Sequence, residues 1–460
     1  MAEGAGALVR PLPVRGVLTL GRGSDTWFRA ASSVVVASAI PDAALLASGR
    51  LDLALYTSAG SLVALYAHNR PYATRGRTLA RVALLMLASL AVALGTAALT
   101  GDVAVRVAVA ALLAAGHKLV CDATRIGPPA NVIFTFVAAS CAFVPQRLAD
   151  VPFHLALALA GAVIAWLVCM APALVRRRDE PAPLAAAGAT AARPRGMWAV
   201  LAALRPGSPL LPIATRVGAS AAAAGWLTML LGVGRPYWAI VTAAAIFQAN
   251  LVLTWRRALQ RVLGNLLGLA LFTALLPVIG AGPAALLLVA LAAQFAAEAT
   301  MARNYWLGSV FVTPMALSMV EFAGHRPAHE LVGQRWLDTC AGAAVGLLGC
   351  VLITNRRAAG RVHGALERLQ AALAELQSHA GAELDPDAEL DPDAQPHGVL
   401  HERITHALAE LREAVQVAEG EWWLRSLPAE RVEQAQRDGQ RALAALAGLA
   451  ERPRLDREVA

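Results

Sequence analysis

Long apolar runs follow one another through the first three quarters of the chain, separated by short segments that carry arginine, glycine or proline. A helix needs about 20 apolar residues to cross the hydrocarbon core of a bilayer, so the runs predict about twelve membrane-spanning helices. They cover about 30–48, 51–67, 79–99, 103–120, 129–145, 153–175, 212–232, 236–253, 258–277, 283–301, 304–322 and 336–354. The pattern therefore predicts an all-α, polytopic membrane protein.

From residue 358 the pattern changes to that of soluble helices, in which apolar residues return every three or four positions. This spacing places them on one face of a helix. Three such seams predict a helical bundle that serves packing or dimerisation. They are Val362, Leu366, Leu369, Leu373 and Leu376; Ile404, Leu408, Leu411, Val415 and Ala418; and Val432, Ala435, Leu443, Leu446 and Leu449. The acidic repeat AELDPDAELDPD between the first two seams is interpreted as a solvated loop.

Composition agrees with a membrane protein and excludes an ordinary soluble one. Hydrophobic residues make up 57% of the chain and charged residues 16%, and the mean hydropathy is +0.53. The formal charge of +8 is spread over the ends of loops instead of forming one patch of the size of a nucleic-acid groove. Membrane orientation explains such arginines, and nucleic acid is not an expected partner.

The arginines also predict an orientation. If the N-terminus is cytoplasmic, the cytoplasmic segments contain most of them, in groups at 10–29, 70–77, 176–205, 256–257 and 356–357. The loops on the opposite side then hold mostly one arginine each. Positive residues concentrate on the cytoplasmic side of membrane proteins, so we expect both termini in the cytoplasm. An even number of spans agrees with this orientation.

The two halves of the membrane region resemble each other. Each has an aromatic residue, an asparagine and an Arg-x3-Arg pair before an apolar run, and these positions are Tyr66, Asn69, Arg77 and Arg81, then Phe247, Asn250, Arg257 and Arg261. Six spans in each half give two parallel six-helix repeats. Ordinary positive-inside arginines at helix starts are the alternative. The predicted domains are 1–175 and 212–355 for the two repeats, 176–211 for a cytoplasmic linker, and 356–460 for a cytoplasmic bundle.

The arginine pairs are the candidate binding residues. Arg257 and Arg261 lie one turn apart on one helix face, which Asn265 continues inward. If the halves face each other, Arg77 and Arg81 complete a cationic ring with them near the cytoplasmic mouth. Guanidinium groups grip carboxylates in bidentate fashion, so the ring predicts an organic anion as substrate. Leu85 and Ala88 stand where the second half has Asn265 and Gly268, so the polar stripe extends deeper in the second half.

Other polar residues in the apolar runs allow two interpretations each. Asn250 and Asn304 line the substrate path or cap helices. Glu298 is a proton-coupling candidate, and an ion pair with Arg303 or another loop arginine is the alternative. Trp238 belongs to an interfacial aromatic belt or stacks on the substrate.

Nothing in the chain indicates an enzyme. His325 and His329 have a metal-like spacing, but no third ligand is clear, so no metal site is predicted. The phosphate-binding pattern GxxxxGK and the nucleophile pattern GxSxG are both missing. No cofactor is expected.

The second half resembles the FUSC group, the fusaric acid resistance-like integral membrane proteins that include aromatic-acid exporters. Three motifs carry the resemblance: Tyr237-Trp238-Ala239, Arg257-x3-Arg261-x2-Gly264-Asn265-x2-Gly268, and Arg335-x2-Asp338-Thr339-x2-Gly342. It covers most of 212–354 and, more faintly, 50–145. The group usually has Thr at the position of Asn265. The resemblance implies efflux of organic, often aromatic, acids across the cytoplasmic membrane, coupled to the proton gradient. The group is also similar to plant malate channels, which pair two six-span units around one anion path.

The sequence thus predicts a multi-pass transporter of the cell membrane that exports organic anions from the cytoplasm. A passive anion channel and a non-transporting scaffold that acts through its cytoplasmic tail are the alternatives. The expected partners are the lipid bilayer and a small organic anion. Assembly into a homo-oligomer is left open.

Overall fold

A computed structural model describes most of the chain, and every regular element in the described part is helical. The described residues are 14, 16–21, 27–175, 196–205, 208, 210–248, 250–301, 303–322, 327–353, 358–383, 397–419 and 429–458. The all-α prediction is therefore confirmed for these residues. The repeat AELDPDAELDPD and His325 lie outside them.

Six α-helices occupy the first half of the membrane region. They are α1 (Trp27–Ala47), α2 (Ala54–Ser61), α3 (Tyr72–Leu99), α4 (Val103–Thr124), α5 (Asn131–Ala142) and α6 (Val151–Val175). Two 3-10 turns, Leu51–Leu53 and Leu62–Leu65, flank α2. Among its described residues the predicted linker contains a short helix, α7 (Met197–Ala203), which packs against α4.

Six more helices follow. They are α8 (Leu211–Leu230), α9 (Tyr237–Ile246), α10 (Leu251–Ile279), α11 (Pro283–Met301), α12 (Tyr305–Phe322) and α13 (Ala328–Leu352). A helix thus lies over each of the twelve predicted apolar runs, although several boundaries differ. The chain turns extended at Phe247, which ends α9 after 10 residues. The run 236–253 is therefore split between α9 and the start of α10.

Seven of the helices are long and apolar enough to cross a membrane: α1, α3, α4, α6, α10, α11 and α13. These helices support a polytopic membrane protein. Three further apolar segments are shorter, at Leu51–Leu65, Asn131–Ala142 and Tyr237–Ile246. The count of twelve spans and the parallel repeat stay predictions.

Small residues let the membrane helices approach closely. A side chain on Gly60 or Gly161 would collide with the backbone of the partner helix, so α2 and α6 lie backbone to backbone. A Cβ on Gly225 of α8 would lie 2.7 Å from Val107 of α4. Van der Waals packing between small residues is the main attraction between helices in lipid, where the hydrophobic effect is weak.

The chain forms two compact units, and the first contains Leu12–Gln248 and Thr254–Ile353. The second contains, among the described residues, 250–253 and the helices α14 (Ala358–Glu383), α15 (His397–Glu419) and α16 (Ala429–Glu458). These three helices pack around the predicted seams, with Leu369, Ile404 and Leu411 fully buried at 0% exposure. Ion pairs between exposed side chains, Arg368 with Glu410 at 3.0 Å among them, join α14 to α15.

Candidate functional site

Arg257 and Arg261 converge on one aromatic residue, as their spacing predicts. The Cζ atom of Arg257 lies 3.1 Å from the centroid of the Tyr305 ring. The Nη1 atom of Arg261 donates a hydrogen bond of 3.3 Å to the hydroxyl of the same tyrosine. Tyr305 is the first residue of α12, so the cationic face of α10 is turned toward that helix. Arg261 is 5% exposed, whereas Arg257 is half-buried.

Asn265 extends this face to a third guanidinium group, that of Arg335 on α13. The Nε atom of Arg335 donates to Asn265 Oδ1 at 3.2 Å, and Thr313 Oγ1 donates to the same oxygen at 3.2 Å. The Cζ atom of Arg335 also lies 3.6 Å from the centroid of the Trp238 ring. Arg335 is 1% exposed. We name Arg257, Arg261, Asn265 and Arg335 the arginine cluster.

Sequence reasoning missed Arg335 as a binding residue. For Trp238 it allowed a place in an interfacial aromatic belt or stacking on the substrate. The aromatic belt does not describe its position, because Trp238 is 2% exposed and packs between Arg335 and Phe136, whose ring centroid is 5.9 Å away. Stacking on the substrate stays a prediction. The sequence does show that Arg335 lies within a long apolar helix, and a charged residue there needs a polar partner or a ligand. That position could have identified Arg335 as a candidate. Its partner Asn265 is 70 residues away in the chain, which no local pattern reveals.

Several donors of the arginine cluster lack a hydrogen-bond partner among the described residues. They are Arg257 Nε, Arg261 Nε, Arg335 Nη1 and Asn265 Nδ2. The nearest buried acid in sequence is Asp338, one turn after Arg335, and it is 0% exposed. The cluster contains three guanidinium groups, and positive charge that is buried without an anion is costly.

Two glycines bring α10 close enough to α12 for these contacts. A Cβ on Gly264 would lie 2.5 Å from the carbonyl oxygen of Trp306, and one on Gly268 would lie 2.5 Å from that of Val310. The Gly-x3-Gly spacing puts both on one face of α10. Short side chains such as Asn265 and Thr313 can therefore meet directly. Gly342 of α13 approaches Ala239 of α9 in the same way.

The structure does not bring Arg77 and Arg81 into this cluster. Both side chains are exposed on α3, whereas Val82 and Met86 are 0% exposed. The buried positions of α3 match those of α10 when Val82 is aligned with Arg261. The sequence-based alignment paired Arg81 with Arg261, so it differs from the structural one by one residue. One residue turns a helix by about 100°, so the predicted pairs lie on different faces. Met86 instead of Leu85 then takes the place of Asn265.

Arg75, two residues before Arg77, is the buried arginine of α3, with 8% exposure. Its guanidinium donates to the carbonyl oxygens of Ala67, His68 and Arg70 at 3.1, 2.9 and 3.1 Å. These bonds fix the turn that precedes α3. The first half therefore uses its buried arginine to hold backbone, whereas the second half leaves guanidinium donors open.

Asn250 and Asn304 make contacts that belong to helix starts. Asn250 Oδ1 accepts from the backbone N–H of Leu253 at 2.9 Å, and its Nδ2 donates to the carbonyl oxygen of Gln416 at 2.9 Å. Asn304 Oδ1 accepts from the N–H of Trp306 at 3.2 Å and from Gln260 Nε2 at 2.8 Å. The capping alternative thus describes the geometry of both residues, and substrate binding by them stays a prediction.

Glu298 lies partly buried on α11. The ion pair with Arg303 is not formed among the described residues. A carboxyl group in an apolar helix without a cation beside it is a candidate for carrying a proton. The proton-coupling role of Glu298 stays a prediction.

Comparisons with known proteins agree with the position of the cluster. Residues 220–349 match the family model described as "Fusaric acid resistance protein-like", and this range contains every residue of the arginine cluster. The chain is 33% identical over 151 residues to the "Uncharacterized membrane protein YvaC" of Bacillus subtilis (strain 168), a match that covers 32% of this chain and 24% of that protein. No solved structure matches the chain. Residues 220–349 are therefore similar to the fusaric acid resistance-like proteins, which confirms the resemblance seen in the three motifs, and the long apolar helices support a multi-pass membrane protein.

Proposed function

We propose that this protein exports organic anions, aromatic or aliphatic carboxylates, from the cytoplasm across the cell membrane, and that the arginine cluster binds the anion. The observation that carries the proposal is the set of buried donors without partners on Arg257, Arg261, Arg335 and Asn265. A buried donor that makes no hydrogen bond costs about 1–3 kcal/mol. A bound carboxylate would satisfy several of these donors at once.

Arginine suits this role better than lysine would. The guanidinium group stays charged when it is buried and offers parallel N–H groups to the two oxygens of a carboxylate. Tyr305 and Trp238 cover one face of Arg257 and Arg335, and cation–π contact stabilises a desolvated guanidinium by about 2 kcal/mol. The rings hold the guanidinium planes in place and leave N–H edges for the substrate.

In this proposal the anion site lies in the second half of the chain, where the arginine cluster is. The order of helix lengths supports two related halves, because a short helical segment precedes the 28-residue α3 and another precedes the 29-residue α10. In the first half Val82 and Met86 occupy the positions of Arg261 and Asn265. The anion therefore binds to one side of the proposed pseudo-two-fold axis and not on the axis itself. The proposed protein has twelve spans and both termini in the cytoplasm.

Transport by reconstituted protein tests the proposal. The probes are radiolabelled phthalate and malate, whose two negative charges slow their leak through protein-free liposomes. We expect counterflow of at least one probe by the wild type and a loss of about ten-fold or more in Arg261→Gln and Arg335→Gln, since one hydrogen bond to a charged group contributes about 1.5–3 kcal/mol. Arg81→Gln, which changes an exposed arginine, is the matched control.

Two outcomes would overturn the proposal: no flux of either probe by the wild type, or wild-type flux in both cluster variants when their amount in the liposomes is normal. A pH gradient separates a coupled carrier from a passive channel. The coupled carrier moves the probe against its own gradient, whereas the channel only dissipates that gradient.

A further inference from the structure

Asp42 on α1 is a buried carboxyl group with two hydroxyl donors. The side chain is 2% exposed. Thr57 Oγ1 donates to Asp42 Oδ1 at 2.7 Å, and Ser58 Oγ donates to Oδ2 at 3.0 Å. Both hydroxyls belong to α2, the short helix held against α6 by Gly60. Each carboxylate oxygen therefore has a neutral donor.

Among the residues that the structure describes, no cation on the neighbouring elements is placed to balance this group. The elements packed against α1 are α2, α6, α11 and the turns Leu51–Leu53 and Leu62–Leu65. Their charged or titratable residues are Asp52, Tyr56, His154, Cys169 and Glu298. None of these is a lysine or an arginine. Arg50, which directly precedes the turn Leu51–Leu53, is exposed and pairs with Asp52 at 3.2 Å. The arginine of α1 itself, Arg29, lies 13 positions earlier, which is about 20 Å along the helix.

An ionised carboxylate in these surroundings is expensive, because two hydroxyl groups replace only part of the water and no opposite charge is near. The protonated form removes that cost. Hydroxyl groups can rotate, so Thr57 and Ser58 can serve either form, donating to the carboxylate or accepting from the carboxylic acid. An asparagine would make the same two contacts without any charge. The chain thus has an ionisable carboxyl group at position 42, although a neutral asparagine side chain would pack there equally well.

We infer that Asp42 is a proton-binding site of the transport cycle, an inference that rests on the proposed function. The carboxylate takes up one proton from the water on one side of the membrane and releases it on the other, and no other bond changes. The place of Asp42 fits this role, because α1 packs directly against α11, which carries Glu298. Two acids without cation partners thus lie on one helix pair that joins the two halves of the membrane region.

The first measurement needs no substrate. Infrared difference spectra of the purified protein are recorded as the pH is changed, with and without carboxyl-labelled aspartate. We expect a carboxylic-acid band that shifts with the label and titrates, is missing in Asp42→Asn, and persists in Asp52→Asn, which removes an exposed acid of the neighbouring turn. A spectrum of Asp42→Asn equal to that of the wild type would overturn the inference.

The second measurement uses the phthalate and malate assay. We expect Asp42→Asn to lose uptake driven by a pH gradient and to keep at least half of the exchange measured at equal pH, as a coupling residue would. Uphill uptake retained by Asp42→Asn would overturn the inference. If Asp42→Asn does not fold, the labelled wild type and Asp42→Glu are compared instead. A titrating band that moves with the aspartate label and changes in Asp42→Glu assigns the proton to Asp42, and a band unchanged in Asp42→Glu would overturn the inference. If the wild type moves no organic anion, the proposed function fails, and the infrared result judges Asp42 by itself.

Discussion

The guanidinium group of Arg335 lies over the Trp238 ring, with its Cζ atom 3.6 Å from the ring centroid, and Arg335 is 1% exposed. Its Nε atom donates to Asn265 while its Nη1 atom has no partner among the described residues. The ring and the amide hold the plane of the guanidinium, and one edge stays available. A buried cation that is oriented and only partly satisfied is suited to bind an anion.

Replacing Arg335 by lysine tests the importance of this plane. Lysine keeps the charge but has no planar fork, so it cannot stack on Trp238 and bind a carboxylate through two N–H groups. We expect Arg335→Lys to weaken the binding of phthalate or malate by about ten-fold or more, since about 1.4 kcal/mol corresponds to a factor of ten. The measurement is the dissociation constant from calorimetry. Arg50→Lys, at an exposed arginine, should bind as the wild type does, and equal affinity of both variants would contradict the prediction.

Asn265 is predicted to act through its acceptor oxygen. Asn265→Leu leaves Arg335 Nε and Thr313 Oγ1 without their shared partner, and a buried unsatisfied donor costs about 1–3 kcal/mol. We expect that variant to lose thermal stability and counterflow. Asn265→Thr restores an acceptor and introduces the residue that is usual in the FUSC group, so it should retain most of the flux. Equal behaviour of the two variants would show that the oxygen is unimportant.

Contact between α10 and α12 is predicted to depend on the absence of a side chain at Gly264. A Cβ there would lie 2.5 Å from the Trp306 carbonyl oxygen, so the helices must separate. Overpacking of this kind costs about 1–3 kcal/mol. We expect Gly264→Ala to lower the melting temperature in detergent, measured by tryptophan fluorescence. Gly116→Ala on α4 is the control, because nothing lies within 4 Å of its Cβ position. It should be neutral or slightly stabilising.

The three-helix unit at the end of the chain is predicted to depend on its apolar core. Ile404 and Leu411 are both 0% exposed among the residues of the three seams. Truncation of such a side chain to alanine typically costs about 2–5 kcal/mol. We expect Ile404→Ala to speed limited proteolysis of residues 358–458 in the full-length protein by about ten-fold or more. Glu402→Ala, at an exposed position of α15, should be cleaved at the wild-type rate.

Local patterns in the sequence predicted the helices and one face of the candidate site. Helical periodicity is a property of neighbouring residues, so the apolar runs, the tail seams and the alignment of Arg257, Arg261 and Asn265 were all visible in the chain itself. The same reasoning failed at Arg77 and Arg81. Their spacing was read correctly, but a spacing does not say which face of a helix is buried.

The amino-acid sequence by itself determined the class of the protein: helical, rich in membrane-length apolar segments, and ending in amphipathic helices. Only the tertiary structure decided that Arg335, covered by Trp238, joins the arginine cluster and that Asp42 meets two hydroxyl groups instead of a cation. The physical reason is the distance along the chain between the residues that interact. A helix forms from contacts within a few residues, whereas these groups meet because glycines such as Gly264 and Gly60 let distant helices pack at backbone distance.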